Sequence, residues 1–408
     1  MKICIFTENY YKGGLDTFLV NIFNTWPEEK DELILCCNSS HAGLKDIKDK
    51  TKRPLIIKEY NRIFTSSIFR GESNNFFSNS LVINFFFNLS YKILQYPFLF
   101  PWYLISLTYF FIRNDYDRLM VVNGGYPASL LCRCASIAWW LAGKRPLSIM
   151  NFHNSSTPTS WHNKIAEDFI DRLVIKSSKH IVSVSKNCLN SLKNRNSFLD
   201  YDKASYIYNG IEDPTLLNNF EINKPTKPYC LMLATYEPRK GHIYLLNAFK
   251  DVVKNFDDVQ LKIFGHGQAE EKKQVSDEIS KLNLRDRVIL GDFEPQKNKL
   301  IANAAILVVP SQAFESFGLT IIEAMAFGVP VVTTDVGGMP EVLGNSYAGY
   351  VCSKDNYKEF ALAIETILDD SELASTLGKN GRAAFEDRFI ASTMSKKYFE
   401  LIKNYTYN

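Results

Sequence analysis

The chain has 408 residues, of which 46% are apolar and 22% charged, with a formal net charge of +3. That length exceeds one ordinary core and predicts two domains of about 200 residues each. A charge this close to balance calls for no nucleic-acid partner. The eight cysteines are scattered, with Cys36-Cys37 adjacent in an apolar run and Cys132 and Cys134 two apart in a helical pattern. Without paired CxxC motifs they predict buried free thiols in a reducing compartment. None of the six histidines stands in an HxxxH or HxxEH pattern, so no metal is expected. The opening MKICIFTENYY lacks the apolar length and cleavage site of a secretion signal, which places the protein in the cytoplasm as an expectation.

In the first half, short strand-like runs alternate with helical patterns, the sign of a parallel sheet flanked by helices. Lys2–Phe6 reads as a strand, followed by a loop Thr7–Gly14 and an amphipathic helix Leu15–Thr25. Leu33–Cys37 and Pro54–Ile57 are the next strands. Aromatic residues then crowd positions 76–112. Ile93–Ile112 carries no formal charge and, at about 20 residues, matches a bilayer in length alone. Pro97, Pro101, Gln95 and several tyrosines argue against a span. The favoured reading is a helix Trp102–Ile112 packed on the sheet. A shelf over residues 80–101, resting on the inner face of the cell membrane as a peripheral contact, stays open.

Strands follow at Leu119–Val122, Leu147–Asn151, Ile181–Ser185 and Ser205–Tyr208, with helices at Ala128–Leu141, Trp161–Ser177 and Lys186–Asn194. The polar, proline-bearing stretch Glu212–Lys227 reads as a linker. The alternation then restarts with strand Tyr229–Ala234, helix His242–Asn255, strand Gln260–Phe264, helix Gln268–Leu282 and strand Val288–Leu290. A short helix near Gln296–Asn303, strands Ala305–Val309 and Pro330–Thr334, and a terminal helix from Glu386 complete the pattern. The domain bounds are therefore 1–212, with the aromatic insert inside it, a linker 213–227, a second domain 228–385 and a closing helix 386–408.

The most informative stretch is Val309–Glu341, VPSQAFESFGLTIIEAMAFGVPVVTTDVGGMPE. Glu315 lies just before a predicted helix and Glu323 inside it. Between them Ser316-Phe317-Gly318, with Leu319, forms a helix start whose amides lack intrahelical partners and suit a diphosphate. Two acids flanking an anion site fit ribose, diphosphate and sugar; a core helix with two incidental acids fits equally well on spacing alone. Glu315 and Glu323, with Ser-Phe-Gly-Leu after the first and Ala-Met-Ala after the second, resemble the signature of the family-4 retaining glycosyltransferases. Gly328-Val-Pro-Val-Val and Gly337-Gly338-Met339-Pro340-Glu341 continue the resemblance in order. It is dense over about Pro228–Val351 and patchier before that. The resemblance implies an α/β fold of two Rossmann-like doubly wound domains facing a cleft, the GT-B architecture.

Other loops gain meaning beside it. Gly13-Gly14 opens the first helix, where glycines admit close backbone approach and leave amides for an anion, although a plain turn is the simpler reading. The family has a glycine pair near the donor phosphate at this place. His153, in Asn151-Phe152-His153-Asn154, ends a strand, and the family places a histidine there close to the transferred sugar. Asn209-Gly210-Ile211 matches the turn that closes the family's first domain. Arg239 and Lys240, in Thr235-Tyr236-Glu237-Pro238-Arg239-Lys240-Gly241, suit a leaving diphosphate, the arginine as a fork and the lysine as a point charge. The family commonly has an arginine after a glycine at the strand end where this chain has Ala234, so Arg239 is expected to supply that charge. Gly265-His266-Gly267 resembles the family's Gly-x-Gly turn, with small residues that admit base or ribose or simply make a turn.

The implied reaction moves a sugar from a nucleoside-diphosphate sugar to a hydroxyl of a glycan or lipid-linked acceptor, with retention, as in surface polysaccharide biosynthesis. Catalytic roles fall to His153, Glu315, Lys240 and Arg239. Donor binding falls to Gly13, Gly14, Gly265, Gly267, Ser316, Phe317, Gly318, Leu319 and Glu323, with no cofactor and no metal. A nucleotide-sugar epimerase, a phosphorylase and a non-catalytic glycan- or partner-binding scaffold are the alternatives on the same fold.

Overall fold

Short apolar runs that are buried on both faces pair in parallel, because helical crossovers cover each side of the sheet. The computed structural model describes residues 1–60, 94–217, 225–344 and 347–403. The chain divides into two compact units, Met1–Ile207 with Ser395–Asn408, and Tyr208–Met394.

The first unit holds strands β1 (Lys2–Thr7), β2 (Glu32–Asn38), β3 (Ile56–Tyr60), β4 (Arg118–Asn123), β5 (Ser148–Phe152), β6 (Ser178–Ser183) and β7 (Ala204–Tyr206). They form one all-parallel sheet in the order β3-β2-β1-β4-β5-β6-β7. Ile3 to Phe6 and Leu35 to Cys37 are almost wholly buried, which explains why both strands read as unbroken apolar runs. All eight cysteines are free and buried.

The aromatic segment enters as a π-helical turn at Gln95–Leu99 and continues as a helix Phe100–Arg113, longer than expected because Pro101 sits in the first turn, where its missing N–H costs nothing. Tyr103, Leu107 and Phe111 face the core, while Trp102, Ile105, Tyr109 and Ile112 are exposed. Most of the 80–101 shelf, and all of the insert before Leu94, lies outside the described residues. Among the described residues no helix is long and apolar enough to cross a membrane. Helices Leu130–Leu141 and Lys164–Ser177 follow β4 and β5 and are locked by buried charges. Arg133 meets Glu167 at 3.0 Å and Arg195 meets Asp171 at 2.7 Å. Burial works against ionisation of Glu167, but Arg133, Tyr96 and Arg195 together outweigh it and bring that carboxyl to about 2.

The second unit holds β8 (Tyr229–Leu233), β9 (Gln260–Phe264), β10 (Val288–Gly291), β11 (Ile306–Val309), β12 (Val331–Thr334) and β13 (Gly349–Cys352). Their order, β10-β9-β8-β11-β12-β13, repeats that of the first six strands of the first unit, again with parallel pairing throughout. Each unit is thus a Rossmann-like doubly wound domain whose chain order reverses beside its first strand. The Asn209-Gly210-Ile211 turn falls in the second unit. A Cβ at Gly210 would stand 2.7 Å from the Ile390 carbonyl oxygen, so glycine is required there for packing. The terminal helical region is two pieces, Ser371–Arg388 and Ala391–Lys403, and the second passes from one unit into the other at Ser395.

Candidate functional site

In the second unit the reversal falls between β8 and β11, and ligands of such sheets bind beyond the strand ends at that point. The loop after β8 makes a 3-10 turn, Pro238–Lys240, and enters helix His242–Val252 through Gly241 at φ 81°. A Cβ on Gly241 would lie 1.9 Å from the Pro310 carbonyl oxygen, so this loop rests directly on the end of β11. Backbone bonding continues the seam, the Gln312 N–H donating to the Arg239 carbonyl at 2.7 Å. Across it, Lys240 Nζ stands 2.5 Å from Glu315 Oε2, each side chain 17% exposed. The loop after β12 holds the Glu315 backbone from behind. Gly338 N–H donates to the Glu315 carbonyl at 2.8 Å, and a Cβ at Gly337 (φ 63°) would come within 1.9 Å of that oxygen.

Arg239 behaves differently from its neighbour. Its Nε lies 2.6 Å from Glu237 Oε2, its Nη2 3.3 Å from Glu237 Oε1, and its Nη1 donates to the Phe314 carbonyl at 3.1 Å. Thr235 also donates to Glu237, at 2.6 Å. Partial burial opposes ionisation of Glu237, yet Arg239 and Thr235 bring its carboxyl below the ordinary value. The charge expected to stand in for the arginine missing at Ala234 is therefore already held by Glu237, a residue with no expected role.

The signature helix is Leu319–Ala326, capped by Gly318 at φ 89°, a conformation that favours glycine. Ser316 is buried, and the Phe317 ring packs against Tyr208 and Phe389, leaving only its backbone for a ligand. Glu323 is buried at 6% exposure. Its Oε1 sits 2.6 Å from Lys297 Nζ, while Oε2 is buried with no hydrogen-bond partner.

At the β9 loop, the space that a Cβ would take at Gly265 is filled by the Ala234 carbonyl at 1.7 Å, and at Gly267 by the Tyr236 Cβ at 2.5 Å. These glycines admit the neighbouring loop, which is the turn reading of the motif. Between them His266 stacks on Phe293, centroids 4.8 Å apart and planes 3° off parallel, and the outer ring is half exposed.

The first unit gathers Gly13, Gly14 and His153 around its own reversal between β1 and β4. Gly13 caps helix Gly14–Thr25, but its N–H donates to Asp16 Oδ2 at 2.8 Å and is not left for an anion. Buried Asp16 also meets His41 Nε2 at 2.7 Å, and Gly43 gives it room. Glu8, buried after β1, accepts from Tyr10 at 2.6 Å and from Ser129. His153 follows β5, its ring 4.6 Å from Phe18 on the same helix. Burial drives its pKa down to about 3 against the pull of Asp16, and its buried Nε2 has no partner. It is a neutral ring with one unmet polar atom. Glu8, Asp16, His41, Glu237 and Lys297 were missed, and only Glu237, inside a quoted motif, carried any signal. Among the described residues no group of three or more His, Cys, Asp or Glu is placed to hold a metal.

Residues 217–384 match the family model described as glycosyl transferases group 1. The chain is 31% identical over 226 residues to an uncharacterized glycosyltransferase of Methanocaldococcus jannaschii, covering 54% of this chain and 58% of that one. It is 32% identical over 150 residues to the capsular polysaccharide biosynthesis glycosyltransferase CapM of Staphylococcus aureus, covering 37% and 39%. The chain thus spans less than two thirds of either relative's length. The crystal structure of Anabaena Alr3699/HepE in complex with UDP superposes with a TM-score of 0.71 over 98% of this chain and 99% of that one, at 19% identity, a likeness of fold. Residues 217–384 thus carry the pattern of the glycosyl transferases group 1 family, on a fold like that of the GT-B structures.

Proposed function

We propose that the protein is a hexosyltransferase that takes a sugar from a nucleoside-diphosphate sugar and passes it, with retention, to a glycan or lipid-linked acceptor. The observation that carries this is the Lys240–Glu315 pair at the β8–β11 reversal, directly before the N-terminus of the signature helix. Negative charge builds on the departing diphosphate, and a fixed ammonium and first-turn amides stabilise it where it develops. Binding of the diphosphate draws Lys240 from Glu315, which frees that carboxylate for hydroxyls of the sugar. Glu323 takes the ribose, and His153, as a neutral ring, takes a sugar hydroxyl. No metal is assigned, since Lys240 carries the counter-charge. Retention rests on the resemblance of the Glu315–Glu323 signature.

A role in surface polysaccharide assembly is supported by the capsular relative. Peripheral contact with the inner face of the membrane is supported by the exposed row Trp102, Ile105, Tyr109 and Ile112, with Arg113 over the Tyr109 ring at 5.2 Å. The test is thermal stabilisation by UDP, GDP, ADP and CDP with EDTA present, in the wild type and in Glu323→Ala. A nucleotide at 100 times its Kd adds about 2.7 kcal/mol. One nucleotide should stabilise and lose that effect in the variant; no shift with any of the four overturns the reading.

A further inference from the structure

Glu323 is an unusual buried acid. One oxygen is held by Lys297 at 2.6 Å and the other, equally buried, meets nothing. Leaving a buried acceptor unsatisfied is costly, more so when it is charged, and such an atom in a native protein calls for a group that completes its bonding. Lys297 opens helix Lys297–Asn303, and its side chain is 43% exposed against 8% for the glutamate. The ammonium therefore reaches in from solvent to a carboxylate that is otherwise buried. It does two things there. It compensates a buried charge, and by occupying Oε1 it fixes the carboxylate so that Oε2 alone is offered. An ammonium has three N–H donors, so Lys297 keeps donors for a neighbouring oxygen. A vicinal diol needs this combination of one fixed acceptor and one adjacent donor.

We propose that Lys297 is the positioning residue of the ribose site, setting the preference for ribonucleotides over 2′-deoxyribonucleotides by orienting Glu323. The inference rests on the reading of Glu323 as the ribose acid. A hydrogen-bonding site built for a hydroxyl rejects the analogue lacking it, because its own polar groups are then left unpaired.

Calorimetric titration of UDP, 2′-deoxy-UDP, GDP and 2′-deoxy-GDP into the wild type, Lys297→Met, Lys297→Arg and Glu323→Gln decides it. The wild type should prefer the ribo form of the bound nucleotide by about tenfold or more. Lys297→Met should weaken the ribo form by about tenfold and the deoxy form by at most about twofold, which collapses the preference. Lys297→Arg should restore most of it, and Lys297→Met added to Glu323→Gln should cost nothing further, since both act through one contact. Equal weakening of ribo and deoxy forms in Lys297→Met, or no weakening, overturns the assignment of Lys297 while the donor reading stands. Nucleotide binding without ribose preference in the wild type overturns the role of Glu323 and that of Lys297 with it. Binding of none of the four overturns the donor reading itself.

Discussion

The two units share a strand order but furnish the same topological position with opposite electrostatics. In the first, the loops at the reversal carry Glu8 and Asp16, both buried and both met by neighbours, beside a neutral His153. In the second, the loops carry Lys240 and Arg239, each matched to a nearby carboxylate, and the signature helix carries Glu323 with one oxygen unmet. An anion brought to the first would face negative charge at a helix start whose capping N–H is already taken. Brought to the second, it would compete with Glu315 for a lysine and find an open helix N-terminus. Topology gives both units a strand-end position of the same kind, and the loop residues make the two differ in charge.

The sharpest way to break that contrast is Lys240→Met. If the second reversal is the diphosphate site, kcat/KM for sugar transfer should drop about a hundred- to a thousand-fold, the cost of removing one preorganised group from a developing charge. A loss confined to a few-fold would leave the two units equivalent. Next in size is Gly265→Ala. Its Cβ would stand 1.7 Å from the Ala234 carbonyl oxygen, a backbone atom that cannot swing aside. Overpacking of this kind costs about 2–3 kcal/mol, to be read as a lowered melting temperature. An unchanged melting temperature would show that the Ala234 loop is free to move and that the glycine serves a ligand.

Much of this organisation was legible because parallel strands buried on both faces leave continuous apolar runs. Lys2–Phe6 falls one residue short of the observed strand at its C-terminal end, and Leu33–Cys37 one residue short at each end. Glu315, Glu323 and Lys240 stand out in their motifs. What those motifs do to one another was not legible. Lys240 and Glu315 lie 75 positions apart, and Lys297 and Glu323 lie 26 apart, joined by crossovers that no local pattern encodes. Arg239 shows the same limit. Its charge is visible in sequence, but the rotamer that ties it to Glu237 is not. The pair Asp16–His41 was hidden because a lone histidine far from any motif carries no signal until the helix and loop meet.

A pH experiment sharpens the electrostatic side. His242, the residue after the Gly241 cap, is buried with both ring nitrogens unpartnered. Burial first, and Lys240 second, lower its pKa from 6.5 to about 4. Between those values the unfolded chain takes up a proton that the folded one refuses, so stability is full above pH 6.5 and falls as the pH drops towards 4. At pH 5 the loss from this group should be on the order of 2 kcal/mol. His242→Leu should narrow the difference in unfolding free energy between pH 7 and pH 5 by that amount. An unaltered difference would mean that the ring finds a partner in solution.

The smallest expected effect separates the two cations of the second unit from each other. Arg239 spends Nε, Nη1 and Nη2 on Glu237 and Phe314, and its ion pair is a third exposed, so releasing it gains little and costs loop order. Arg239→Met should therefore lower kcat/KM by about tenfold or less, well short of Lys240→Met. Glu237→Gln tests the same point from the other side. Where Arg239 only braces the loop, removing its partner's charge should leave nucleotide affinity within about twofold and slightly lower the melting temperature. Where the guanidinium swings to the diphosphate, Glu237→Gln should tighten nucleotide binding and Arg239→Met should cost as much as Lys240→Met. That second pattern would return to Arg239 the role that its position in the sequence suggested, and would mean that the pair with Glu237 is a resting contact broken by the substrate.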